Sequence, residues 1–128
     1  MAVEFLIPGR LPKIGGNDRL SWRALHIAKM KARDDAFRRC KSALGRSRPA
    51  LPVAVSLTYR FSGPTPDDDN VTARCKAARD GIAEALGVND GDRRAVTWHY
   101  DQERVPRADM GLAVRVEQRR PAPCEPSL

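Results

Sequence analysis

Between residues 21 and 44 the sequence SWRALHIAKMKARDDAFRRCKSAL contains no Gly or Pro, and this continuity constrains the fold more than any other feature. Without those two interrupters the stretch can propagate as one long helix, with Ser21 as a candidate N-cap. Ala24, Ile27, Met30, Phe37, Cys40 and Leu44 recur at steps of three, four or seven, which predicts a single apolar stripe facing the core. A second helix is predicted from a cap at Asp69 or Asn70 to Leu86, with Gly87 as its stop. Its buried side is predicted to carry Val71, Cys75, Ala78, Ile82 and Leu86. Gly81, inside that helix, works against it by about 1 kcal/mol.

Four strands complete the pattern. Residues 3–7 form a compact apolar run closed by Pro8-Gly9, and VAVSLTYRF at 53–61 partly alternates and is rich in β-formers. RAVTWHYDQE and GLAVRVEQ read as two further strands, predicted to form an antiparallel pair through RVPRADM. A chain of 128 residues is long enough for one domain with a modest core. The expected fold is therefore α+β, a single domain in the order β-α-β-α-β-β, with two helices packed on one mixed sheet. The domain is expected to span residues 1–118, followed by a Pro-rich, disordered tail at 119–128.

Charge is distributed unevenly. The chain as a whole carries +7, and residues 10–48 hold twelve Lys or Arg against three Asp, whereas residues 66–92 hold seven acids against three bases. A basic surface favours a polyanion contacted through its backbone, and 5% aromatic content leaves little surface for stacking unpaired bases. The three cysteines, Cys40, Cys75 and Cys124, are widely spaced without a C-x-x-C, and only His26 and His99 supply imidazoles. That composition argues against a Cys/His zinc site and for reduced structural thiols in a cytosolic protein. The start reads as a strand rather than a signal peptide, and no stretch approaches the roughly 18 apolar residues of a membrane span.

The stretch PTPDDDNVTARCKAARDGIAEALGVNDGD gathers carboxylates at both ends of the second helix. Helical phase returns Asp69, Lys76 and Asp80 to one polar stripe. Two readings are open. Aspartates near a helix N-terminus complement its dipole by about 0.3–1 kcal/mol each, and Lys76 to Asp80 is an ordinary surface spacing. Alternatively, oxygen-rich clusters suit hard cations such as Mg²⁺ or Mn²⁺, which assist phosphodiester hydrolysis, with a lysine stabilising the developing charge.

These residues resemble the RusA-type Holliday junction resolvases of bacteria and their phages. Asp67-Asp68-Asp69-Asn70 is similar to that family's D-x-D-N, Lys76 and Asp80 to its K-x-x-x-D, and Asn89-Asp90 or Asp90-Gly91-Asp92 to its late acidic pair. GGNDRLSWR resembles the family's N-terminal loop, and the likeness extends over about residues 3–116. Lys76 follows Asn70 by six residues, a longer spacing than the family pattern. The resemblance implies a homodimeric, Mg²⁺- or Mn²⁺-dependent endonuclease that nicks four-way DNA junctions symmetrically. It also implies Asp67, Asp69 and Asp90 as metal ligands, with Asp92 the alternative to Asp90, and Lys76 as the catalytic lysine. Asp68 would be a bystander, and Asp80 and Asn70 would support the site. Lys29, Lys31, Arg33, Arg38, Arg39 and Lys41 are the expected DNA contacts. Two competing expectations are a catalytically silent DNA-binding prophage protein of the same fold and a nuclease for other branched DNA.

Overall fold

Valine, leucine and aromatic residues at alternate positions of Val53–Phe61 make the central strand, β2, whose Val53, Val55, Leu57, Tyr59 and Phe61 are all buried. In the computed structural model, which describes residues 2–9, 22–46, 49–66 and 68–119 and residues 68–70 by backbone alone, the other elements assemble around it. They are β1 (Ala2–Pro8), α1 (Trp22–Leu44), α2 (Asp68–Leu86), β3 (Val96–Arg104), a short 3-10 turn at Arg107–Asp109, and β4 (Gly111–Gln118). This is the expected α+β order. Ser21 and residues 120–128 of the segment expected to be a tail lie outside the described residues.

The sheet order is β1-β4-β2-β3. β4 is antiparallel to both neighbours, whereas β3 is parallel to β2 and reached through the α2 crossover. The predicted β3–β4 hairpin is therefore wrong. β4 inserts between β1 and β2, since its Leu112, Val114 and Val116 are buried from both sides, and β3 takes the edge. Inward rows such as Val3–Val116–Val55–Trp98 and Phe5–Val114–Leu57–Tyr100 face the helices. The opposite face is polar, with Glu4, Arg115, Ser56 and His99 in one row. Arg119 also belongs to the domain. Its amide donates to the Pro52 carbonyl and its guanidinium to the carbonyls of Arg93 and Arg94.

The predicted buried stripe of α2 is the observed one: Val71, Cys75, Ala78, Ile82 and Leu86 are all buried. The helix begins at Asp68, slightly ahead of the expected cap, and stops at Gly87, whose φ of 73° allows the Val88 amide to bond back to the Ala83 carbonyl. The stripe of α1 is only half right. Cys40 and Leu44 are buried together with Ala36, but Ile27 and Met30 are 47% and 58% exposed and Trp22 is 77% exposed. Periodicity identifies a helix face without saying where its covering partner ends.

Gly81 explains itself at the helix crossing. A Cβ there would lie 2.2 Å from the Arg33 carbonyl oxygen and 3.0 Å from the Phe37 nitrogen, so the backbones meet where only hydrogen fits. Ala73, Ala77 and Gly81 form a small-residue row along this seam at four-residue steps. Gly81→Ala is expected to force α1 from α2 and destabilise the protein by about 1–3 kcal/mol, despite alanine's better helix propensity. Urea unfolding measures it, and a variant as stable as wild type would contradict the crossing.

Cys40 and Cys75 are buried free thiols, and desolvation raises their pKa from 9.0 to about 11 and about 12 respectively. The unfolded chain gives up these protons near pH 9 while the folded chain retains them. Stability is thus intact below pH 9 and declines as pH rises toward 11–12, by up to about 1.4 kcal/mol per pH unit for each thiol. Urea midpoints measured on either side of pH 9 are expected to fall more steeply for wild type than for Cys75→Ala.

Candidate functional site

Strand register and connectivity decide which residues share an end of the molecule. β1 finishes at Pro8 opposite Gly111, which also pairs with Arg60 near the end of β2. α1 therefore starts from the end where β2 and β3 finish and descends toward the start of β2, and α2 starts from that same end. The two helices run parallel, and both N-termini lie at the C-terminal ends of β2 and β3. Side chains of this end are tied together: the Arg104 guanidinium donates to Thr65 Oγ1 at 3.1 Å, and Arg74 donates to the Tyr59 hydroxyl at 3.0 Å.

Asp69 and Asn70 occupy the first turn of α2, and Asp67 lies outside the described residues. Lys76 follows Asp69 by seven residues, about 10 Å along the axis. It is exposed, and with Asp80 it lines a groove between α1 and α2 of about 310 Å³. The other lining residues are His26, Lys29, Met30, Arg33, Ala73 and Ala77. Numbers rise together along both helices, 26 to 33 beside 73 to 80, as parallel packing requires. The structure thus brings Lys76, Asp80, Lys29 and Arg33 to one groove. His26 and Met30 were missed from sequence because both sit on the helix predicted to give only core and a solvated basic face. The Ala73, Ala77, Gly81 spacing was the available signal for a close second helix.

Asp90 is elsewhere. It lies on the other flank of α2, in a separate cleft of about 500 Å³ with Gly91, Arg93 and residues of β3, and that cleft shares no residue with the groove. Its carbonyl accepts from Trp98 Nε1 and Arg79 Nη2, both at 2.9 Å, and its carboxylate lies 3.3 Å from Arg79 Nε without hydrogen-bond alignment. Arg79 also donates to the Tyr100 hydroxyl at 2.9 Å and stacks over Trp98 at 4.8 Å. Arg79 follows Asp69 by ten residues, about 15 Å down the axis and on a different side of the helix. Asn89-Asp90-Gly91-Asp92 is a turn leading into β3. Asn89 Oδ1 accepts from the Gly91 amide, Asp92 Oδ1 from the Arg94 amide, and the Asp92 carbonyl from Ala95 and Val96. Neither Asp90 nor Asp92 joins Asp69 within one chain.

The expected DNA contacts of α1 divide by partner. Arg33 pairs with Glu84 at 2.9 Å, Arg39 with Asp35 at 2.9 Å and Arg38 with Asp34. Lys41 lies over the Phe37 ring at 5.8 Å, Lys31 is exposed, and Lys29 opens to the groove. Among the described residues no three His, Cys, Asp or Glu side chains come together to hold a metal. The oxygen donors of Asp67-x-Asp69 suit a hard cation that keeps several waters, and Asp90 and Asp92 lie in the turn beyond the other end of α2. No helix among the described residues is long and apolar enough to cross a membrane.

If Asp90 serves the turn rather than a ligand set, Asp90→Asn is expected to destabilise by less than about 1 kcal/mol. Arg79→Ala, which removes two hydrogen bonds and a stacked guanidinium, is expected to exceed it at about 2–3 kcal/mol. Chemical denaturation of both variants checks the order.

No protein-family model matches the chain. Over 107 residues it is 37% identical to an uncharacterized protein of Xylella fastidiosa (strain Temecula1 / ATCC 700964), a match covering 80% of this chain and 68% of that protein. At that identity and coverage, this chain and the Xylella protein belong to the same family.

Proposed function

We propose that this protein is a metal-dependent endonuclease for branched DNA of the RusA type, making paired, symmetric nicks in four-way junctions as a homodimer in a bacterial or phage-infected cytosol. The observation that carries the reading is the parallel pairing of α1 and α2, which sets the basic first half of α1 beside the α2 face bearing Lys76 and Asp80. A polyanion held along α1 would then pass directly over the acidic end of α2.

Asp67 and Asp69 are the residues that would hold Mg²⁺ or Mn²⁺, Asp90 and Asp92 being omitted because of their place at the β3 turn. When bound, such an ion supplies an activated water and charge neutralisation at the phosphodiester. Lys76 directs its ammonium to the phosphate oxygens, where negative charge develops. Asp80, one turn further along α2, lines the same groove as Lys76, and Asn70 supports the first turn as a cap. The exposed lysines of α1 hold the DNA backbone without reading its sequence. A two-fold symmetric junction matches a C₂ dimer that presents one site per subunit.

A second reading, a catalytically silent DNA binder, is favoured by one observation: the late acidic pair is committed to a turn and to Arg79. Cleavage of a synthetic four-way junction, with and without Mg²⁺ or Mn²⁺, decides between them. Wild type is expected to nick it only with metal, and Asp69→Asn to lower the rate by at least about 10²-fold while junction affinity in EDTA stays within about threefold. Flap and linear duplex substrates in the same assay expose a broader specificity. A wild type that cuts no branched DNA, and whose junction affinity ignores Mn²⁺, would leave the silent binder standing.

A further inference from the structure

We propose that the groove between α1 and α2 is a binding site for a phosphodiester of a single nucleic-acid strand, in which His26 and Lys29 of α1 act together with Lys76 of α2. The proposal rests on the nuclease reading for its biological setting but stands on its own geometry. The groove holds about 310 Å³, the lower end of the range for small-ligand sites. Its polar lining comprises Lys29, Arg33, Lys76, His26 and a single carboxylate, Asp80. Arg33 is already engaged by Glu84. Among the described residues neither Lys29 nor Lys76 forms an ion pair, and the two line this groove from different helices.

A groove that gathers Lys29, Lys76 and His26 against one carboxylate favours an anionic ligand. The apolar part of the lining, Met30, Ala73 and Ala77, strengthens that preference by limiting water on one side of the charges. Ala73 and Ala77 also keep the wall low, allowing a bulky phosphodiester to approach the helix. The groove spans two turns of each helix, about 10 Å, long enough for more than one phosphate of an extended strand. His26 stands at the rim nearest the α2 N-terminus, its ring 6.4 Å from that of Trp22 and tilted by 54°. From there an imidazole N–H can donate to a phosphate oxygen of the strand as it passes toward Asp69. Lys29 and Lys76 are thus binding residues for the same strand, and α1 is part of the active groove.

The test uses the full chain in EDTA, so that binding is read without cleavage. A short single-stranded DNA is titrated while backbone amide shifts are followed by NMR, alongside an uncharged methylphosphonate analogue and inorganic phosphate. The expected result is shifts concentrated at Met30, Ala73, Lys76 and Ala77 with the phosphodiester strand and none with the methylphosphonate. Shifts of equal size with inorganic phosphate would reduce the site to a free-phosphate site and overturn the strand assignment. Lys29→Gln is expected to weaken the strand roughly tenfold and to lower the slope of log affinity against log salt by about 0.7. Lys29→Arg should restore most of the affinity, and His26→Gln should show a smaller loss. Arg115→Gln, on the opposite face of the sheet, should bind as wild type does. Equal losses in Lys29→Gln and Arg115→Gln, or shifts mapping away from the groove, overturn the proposal. Strand binding in the groove by a protein that cuts no junction sinks the nuclease reading alone, and cleavage unaffected by Lys29→Gln sinks this proposal alone.

Discussion

The approach of Gly81 to the Arg33 carbonyl is the contact on which the rest of the structure depends. At this point the α1 and α2 backbones meet more closely than any side chain permits. The crossing fixes rotation about both helix axes: it turns Cys75, Ala78 and Ile82 toward the core and leaves Lys76 and Asp80 at the edge of the seam. The Arg33–Glu84 pair then spans the seam one turn away. Being largely exposed, it adds register more than stability. Loosening the crossing would release both the core packing and the alignment of the groove.

Elements whose periodicity reports on their own burial were legible in the sequence. β2 and the buried stripe of α2 are examples, because every position of each repeat meets a covering layer. The errors arise where a residue's setting depends on a partner distant in sequence. Ile27 and Met30 follow the same period as Cys40 and Leu44, yet their half of α1 meets only the flank of α2 and stays exposed. β3 and β4 read as a hairpin because short connections favour neighbours. The α2 crossover instead docks β3 on β2, and β4 fills the remaining gap beside β1. His26 gave no signal at all, since its place in the groove follows from the Gly81 crossing and not from any local motif.

Charge segregation along the chain takes on a different form in three dimensions. The basic excess of residues 10–48 is not a uniform field: Arg38 and Arg39 are partly neutralised by Asp34 and Asp35 one turn earlier, and Arg33 by Glu84. Each exposed pair adds little to stability, but each also lowers the local potential that a polyanion would feel. Lys29 is not subject to that cancellation. Parallel helices align it with Lys76, so one cation from the basic third and one from the acidic middle meet in the same groove.

The late acidic residues show how backbone, rather than carboxylate, determines what an aspartate can do. Were the Asp90 carboxylate to leave Arg79 for a metal, only the 3.3 Å ion pair would be lost. The bonds from Trp98 and Arg79 to the Asp90 carbonyl would remain, and so would the amide bonds that close the Asn89 to Asp92 turn. These are the contacts that hold the residue on the β3 flank, and none of them depends on its charge. On the proposed reading, a cation held by Asp67 and Asp69 would take its other ligands from water or substrate oxygens, or from a carboxylate of a second copy of the chain. Mg²⁺ favours the first arrangement, because it gives up its waters reluctantly and takes phosphate oxygens readily. On the proposed reading, Lys29 and Lys76 would position the strand in the groove, and an ion held by Asp67 and Asp69 would supply charge neutralisation at the phosphodiester.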